Sequence, residues 1–214
     1  MKDKNKKAKL IDFNYFLFDF GKFMGILPGL VWLRPKWVYE SKKAKKRIRG
    51  GAILMFNHTG FADPVFAQFA VWYRRQHFVA AKELFSGRKN WIFNVFHCIE
   101  IDRQNFSFNT FRDITAHLDS GKVVTIYPEG KINGSDESVT AFKSGTVMIA
   151  LRSGKPIIPV YVKKPENFWH RAVFCIGEPI DLRAEYGAMP SIDTVEKISE
   201  ELRDKEIMLS KLIK

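Results

Sequence analysis

Gly50-Gly51-Ala52-Ile53-Leu54-Met55-Phe56-Asn57-His58-Thr59-Gly60-Phe61-Ala62-Asp63-Pro64 holds a complete structural transition. Two glycines open the apolar run Ala52 to Phe56, short enough for a buried strand, and the run ends in the polar Asn57-His58-Thr59. Asp63-Pro64 then reads as an N-cap aspartate with proline at the first helical position, starting a helix expected to run to about Arg75. Strand, polar loop and helix in that order form the repeating unit of an α/β sheet.

The unit recurs along the chain. Strands are expected at Phe78 to Ala81, Cys98 to Ile101, Val123 to Tyr127, Ile157 to Val162 and Ala172 to Ile176. Helical stretches lie at Lys89 to Phe96, Asn109 to Leu118 and Ser144 to Arg152, and Ser191 caps a final amphipathic helix lined by Val195, Leu202 and Leu209. The expected architecture is α/β: a single domain over residues 41–214, with a central mixed sheet flanked by helices. A length of 214 residues with 46% apolar side chains suffices for one sizeable core and argues against disorder or a collagen-like repeat. Cys98 and Cys175 stand far apart with no metal-ligand spacing, so neither a disulfide framework nor a metal site is expected.

Charge is concentrated at one end. Residues 1–50 hold 14 basic and four acidic residues, which is ten of the twelve net positive charges of the chain. A polyanionic surface is the partner such a segment suits. Between the basic runs, Leu10 to Trp37 is rich in Phe, Leu and Trp, which suits a bilayer better than nucleic acid, and no nucleic-acid partner is expected. As a helix it stacks Leu10, Leu17, Met24 and Val31 in one column beside Phe13, Phe20 and Leu27. Its longest uncharged stretch, Phe23 to Leu33, has 11 residues and is interrupted by Pro28-Gly29, whereas a span needs about 20. Residues 1–40 are therefore expected to be a membrane-associated segment of two short helices meeting near Pro28, lying on an anionic leaflet with Trp32, Trp37 and Tyr39 at headgroup depth. An amphipathic helix packed on the protein's own core fits the same pattern.

Two motifs carry chemistry. In Asn57-His58-x4-Asp63, a carboxylate at the helix start folds back to one imidazole nitrogen, fixing the tautomer and leaving the other nitrogen to take a hydroxyl proton. The same residues also fit a plain N-cap and a loop histidine. Tyr127-Pro128-Glu129-Gly130-Lys131 places a carboxylate, a glycine and a cation at the end of another strand, although a simple turn would read alike. Together, in this order and about 65 residues apart, the two resemble the lysophosphatidic acid acyltransferase family, the glycerolipid acyltransferases that make phosphatidic acid. The resemblance extends from about Trp37 to Ile180. Ile101-Asp102-Arg103 looks like that family's second block and Pro156-Ile157-Ile158-Pro159-Val160 its fourth, an apolar strand near the acyl chain. Ala80-Ala81-Lys82-Glu83-Leu84 is similar to a further stretch with a phosphate-binding lysine. Two departures stand out: Lys131-Ile132-Asn133 replaces the family's usual Thr-Arg-Ser, and His97-Cys98 stands where glycines are usual.

The resemblance implies a general-base pair of His58 and Asp63 and a substrate-binding set of Lys82, Arg103, Glu129, Gly130 and Lys131, in which the three cations hold the phosphate of a lysophospholipid acceptor and Glu129 organises them or bonds the glycerol portion. It implies acyl-coenzyme A or acyl carrier protein as co-substrate, no other cofactor, and a place on the cytoplasmic face of the cell membrane. No GxSxG elbow is present, so direct transfer without a covalent enzyme intermediate is expected. Another lysolipid or glycerol 3-phosphate as acceptor, and a non-catalytic basic peripheral membrane protein, are the alternatives.

Overall fold

Side chains alternating between two layers build the centre of the molecule. In β2 (Ala52–Phe56), Ala52, Leu54 and Phe56 join one hydrophobic layer and Ile53 and Met55 the other, and all five are buried. This is the two-residue period of a strand covered on both faces. The computed structural model describes residues 15–85, 90–102, 108–133, 139–167 and 169–213.

Among these, α1 (Phe16–Leu33) and β1 (Lys36–Tyr39) precede β2, and α2 (Asp63–Ala70), β3 (Gln76–Ala81) and a 3-10 turn (Lys82–Phe85) follow it. The chain continues through α3 (Asn90–Val95), β4 (Ile99–Ile101), α4 (Phe108–Asp119), β5 (Val123–Ile126) and α5 (Gly145–Ser153). It ends with β6 (Ile157–Lys163), β7 (Val173–Ile176), α6 (Leu182–Tyr186) and α7 (Ile192–Lys211). The strands form one mixed sheet in the order β1-β7-β6-β2-β5-β3-β4. From β6 to β4 all neighbours are parallel, and β7 runs against β6.

The chain passes from β2 to β3 on one side of the sheet's centre and from β5 to β6 on the other. The carboxyl ends of β2 and β5 thus frame a topological switch point, where open α/β sheets leave a crevice. Helix α2 covers one layer through Phe66, Ala67 and Ala70. Helices α4, α5 and α7 cover the other through Ile114, Val147, Leu151 and Ile198.

Three expectations are corrected. The N-terminal segment does not break at Pro28: α1 is one helix with Pro28 inside it, and the stop comes at Arg34, whose backbone takes φ 42° just before Pro35. An interior proline removes one hydrogen bond, and here contacts of the first turns with the domain and the burial of Leu33 at the far end hold the helix at both ends. Arg75 pairs with Asp19, Lys22 Nζ donates to the Arg74 carbonyl at 2.7 Å, and Phe18 meets Phe96 edge to face. Second, Lys36–Tyr39, expected in the docking segment, is a sheet strand on β7. Trp37 lies against Phe174, and its indole N–H donates to the Phe69 carbonyl at 3.3 Å, so it does not sit at headgroup depth. Third, α2 stops at Ala70, short of Arg75, and Arg74 beyond its end turns in to donate to the carbonyls of Ile48, Gly50 and Gly121.

Candidate active site

Parallel pairing of β2 with β5 brings Met55 opposite Ile126, so the loops that follow the two strands emerge side by side. Asn57 fixes the first loop. Its amide Nδ2 donates to the Val162 carbonyl at 3.1 Å and its Oδ1 accepts the Val162 N–H at 2.8 Å, continuing the pairing with β6 by side chain. His58 comes next, and Asp63 opens α2 with its carboxylate turned back into the loop.

Asp63 Oδ2 lies 2.7 Å from His58 Nδ1 and accepts the backbone N–H groups of Thr59 at 2.7 Å and Gly60 at 3.0 Å. Its Oδ1 pairs with Lys164, the residue after β6. The helix N-cap is Ala62, so Asp63 is bonded to the loop and to the imidazole. Burial alone would raise the Asp63 pKa, but the bonds from His58, Lys164 and Gly60 outweigh it and hold the carboxyl below the usual aspartate value. Among the described residues none bonds His58 Nε2, and the ring is 16% exposed.

The second loop grips the first. Glu129 is buried and spends both oxygens inside the protein: Oε1 accepts the His58 N–H at 2.8 Å, and Oε2 accepts from the backbone and hydroxyl of Thr140. Asn133 N–H donates to the His58 carbonyl at 2.7 Å, so both backbone groups of the histidine are held from the β5 side. Tyr127 stacks on the imidazole with ring centroids 4.4 Å apart. Burial, with the Asp63 charge second, keeps its phenol well above the usual pKa and therefore neutral. Gly130 takes φ 70°, and the side chain of Lys143 crosses it so closely that a Cβ there would meet Lys143 Cε at 2.9 Å.

His58 lines a cavity of about 1290 Å³ whose walls include Phe61, Val65, Phe78, Phe111, Ile126 and Ile149. Lys131, Lys143 and Arg152 bring cations to the same cavity. Lys82 is exposed at the start of the 3-10 turn, and its neighbours Glu83 and Leu84 line the cavity. Arg103 lies outside the described residues. Of the residues singled out in the sequence, His58, Asp63, Glu129, Gly130 and Lys131 thus come together. Lys164 and Lys143 were missed. Lys164 directly follows an apolar strand, which is where such sheets place polar site residues, and that signal was available. Nothing local in Phe142-Lys143-Ser144 announces a contact with Gly130.

An acyltransferase family model matches residues 38–163. A 1-acyl-sn-glycerol-3-phosphate acyltransferase of Limnanthes alba is 30% identical over 199 residues, covering 86% of this chain and 66% of the plant protein. The enzyme so named from Streptococcus pneumoniae is 28% identical over 137 residues, 61% of this chain and 50% of its own length. The chain therefore spans about two thirds of the length of the plant relative and half that of the streptococcal one. The crystal structure of the 1-acyl-sn-glycerophosphate acyltransferase from Thermotoga maritima superposes with a TM-score of 0.64 at 21% identity, over 93% of this chain and 80% of that one, which establishes a shared fold.

Proposed function

The chain belongs to the acyltransferase family, and on that premise we propose that it moves an acyl group from a thioester to the free hydroxyl of lysophosphatidic acid, giving phosphatidic acid. The names of its relatives support the acceptor. The observation that carries the chemistry is the 2.7 Å contact between Asp63 and His58 Nδ1 at the mouth of an apolar cavity.

His58 Nε2 takes the proton of the acceptor hydroxyl as its oxygen attacks the thioester carbon. Asp63, acceptor-only when ionised, fixes the tautomer by taking the Nδ1 proton in a hydrogen bond and stabilises the imidazolium that forms. When the tetrahedral intermediate collapses, the C–S bond breaks and the imidazolium returns the proton to the leaving thiolate. A positioned base of this kind contributes roughly 10²- to 10⁴-fold, and alignment of two bound substrates adds to it. The donor is acyl-coenzyme A or acyl carrier protein, with its chain in the large cavity. Lys131 and Lys143, with Arg103 and Lys82, hold the acceptor phosphate. Gly130 permits this arrangement, because any side chain there would displace the Lys143 arm. Helix α1 lies in one leaflet of the membrane that supplies the acceptor, on the cytoplasmic face, with anionic lipid against the flanking lysines.

Thiol release from palmitoyl-coenzyme A and from palmitoyl carrier protein, with and without lysophosphatidic acid, tests the reading. Acceptor-dependent release that disappears in His58→Ala is expected. Full activity of that variant would remove the base from the mechanism, and release from neither donor would remove the reaction. Ile132, in the place of the usual arginine, gives a second reading a specific footing, namely a different acceptor such as glycerol 3-phosphate or another lysolipid. Higher turnover on one of these than on lysophosphatidic acid would favour it.

A further inference from the structure

The start of α2, which carries Asp63, stands between two apolar cavities, each taking a different face of it: His58 lines the larger, and the smaller reaches the catalytic pair through Lys164. The 1290 Å³ cavity is walled there by Phe61, Pro64, Val65 and Gln68. A second, of about 770 Å³, is walled by Ala62, Val65, Phe66 and Phe69. Val65 lines both, and Asp63 stands in the chain between Ala62 of one and Pro64 of the other. The outer wall of the second cavity is α1, through Gly25, Pro28, Gly29, Trp32 and Leu33, and one end is formed by Lys164, whose ammonium pairs with Asp63.

We propose that this second groove holds the acyl chain that the acceptor lipid already carries, while the larger cavity holds the chain being transferred. The proposal rests on a lysophospholipid being the acceptor. That reaction brings two chain-bearing molecules to one imidazole; His58 lines the larger volume, and the smaller ends at Lys164, the ion-pair partner of Asp63. The 770 Å³ volume falls within the usual range for small-molecule sites, about 300–1,000 Å³.

Continuity decides which chain goes where. The groove is walled by α1, and the outward side of α1 is the largest run of exposed apolar side chains in the described residues: Phe23, Leu27, Val31 and Trp32 are each at least 60% exposed. Trp32 belongs to both surfaces. A lipid chain moving from that surface into the groove stays in apolar surroundings, as a membrane-resident acceptor requires, whereas a thioester on a soluble carrier has no such need. Charge agrees at the reaction end. Lys164 offers a cation to an anionic headgroup beside the catalytic pair, although Glu166 also borders the groove.

Two glycines shape the slot. A Cβ at Gly29 would lie 2.1 Å from Phe69 Cζ, so only glycine lets α1 close down on that ring and form the floor. A Cβ at Gly25 would meet nothing within 4 Å, so the space above it is open. Gly25→Leu therefore has room for its Cβ, places its side chain in the groove and favours the helix.

The test compares 18-carbon with 6-carbon lysophosphatidic acid as acceptors. In Gly25→Leu the KM for the long acceptor is expected to rise about tenfold, equivalent to losing about two buried methylenes. The short acceptor changes less than twofold, and the preference for donor chain length is unaltered. An equal rise for both acceptors, no rise, or a shifted donor profile overturns the proposal. A lysophosphatidic acid with a diazirine at its chain end gives a readout independent of turnover. The expected labels are on Phe66 and Phe69, which are buried and face the groove, and the labels are lost in Gly25→Leu. Labels on Phe78, Phe111 or Ile149 of the large cavity, or on neither set, overturn it. Failure of transfer to any lysolipid with Phe66 and Phe69 labelled would sink the function reading and spare the groove. Active transfer with the label in the large cavity would do the reverse.

Discussion

Asp63 divides its two oxygens between different neighbours. Oδ2 takes three N–H groups, one of them from the imidazole, and Oδ1 takes the Lys164 ammonium. Replacement by asparagine keeps the shape but removes the charge, and the amide cannot accept on both sides at once. We expect Asp63→Asn to lower kcat by roughly 10²- to 10⁴-fold with the acceptor KM nearly unchanged, read by thiol release. A loss smaller than tenfold would leave Asp63 with only the loop amides. On the proposed function Lys143 offers its charge to the acceptor phosphate, while its arm crosses Gly130. Lys143→Met keeps that arm, so the acceptor KM should rise about tenfold while kcat and the donor KM stay within twofold, as for a lost charge-assisted contact to phosphate. A donor KM that rises instead would place the ammonium on the carrier's phosphates.

At the scale of the element, α1 faces two ways. Phe18 and Leu33 are buried against the domain, and Asp19 pairs with Arg75, while Leu17, Phe20, Phe23, Leu27 and Val31 are exposed. By length and composition the helix is long and apolar enough to cross a membrane, yet its contacts with residues from Phe69 to Phe96 hold it along the side of the domain. We propose that a helix fixed in that way docks in a leaflet rather than crossing it. Changing Phe23, Leu27 and Val31 together to serine should release the protein from anionic liposomes in a sedimentation assay with Tm within about 2 °C, because exposed side chains contribute little to folding. Equal sedimentation of variant and wild type would assign the apolar face to something other than a bilayer. The same helix shows where local reading stops. Pro28-Gly29 is a breaker by every local rule, and distant partners override it. Strand β1 is four residues bounded by charges, and it exists because β7, more than 130 residues later, offers its edge. The β2 loop was legible because its strand, histidine, aspartate and helix start are consecutive. Lys143 was not, because its partner Gly130 is a neighbour only after the sheet has formed; Lys164 carried a local signal at the end of its strand, but its pairing with Asp63 likewise exists only in the folded sheet.

For the molecule as a whole, two buried titratable groups pull stability in opposite directions as pH changes. His77 on β3 is 2% exposed, packed against the rings of Tyr15, His97 and His117 with Lys122 nearby, and burial lowers its pKa to about 4. The unfolded chain protonates this residue near 6.5 and the folded one near 4, so the unfolded state binds the proton first. The contribution is intact above 6.5, is lost between 6.5 and about 4, and amounts to about 3 kcal/mol at its fullest. Glu206 on α7 is fully buried, and burial, followed by the charge of Glu129, pushes its pKa well above the usual value. Here the unfolded state releases its proton first, so the contribution is complete below the unfolded value of about 4.5 and is lost as pH rises through the folded pKa. Asp63, held low, stays out of this window: its contribution persists above the ordinary aspartate value and is lost only in stronger acid. The wild-type profile between pH 4.5 and 7 is therefore a partial cancellation, and single variants separate its parts. Urea midpoints at pH 7, 5.5 and 4.5 should show His77→Phe gaining on the wild type as the solution is acidified. Glu206→Gln should gain on it as the solution is made more basic. Parallel profiles for wild type and His77→Phe would mean that the imidazole is protonated in the folded protein, with solvent or a counter-charge reaching the cluster beneath Tyr15.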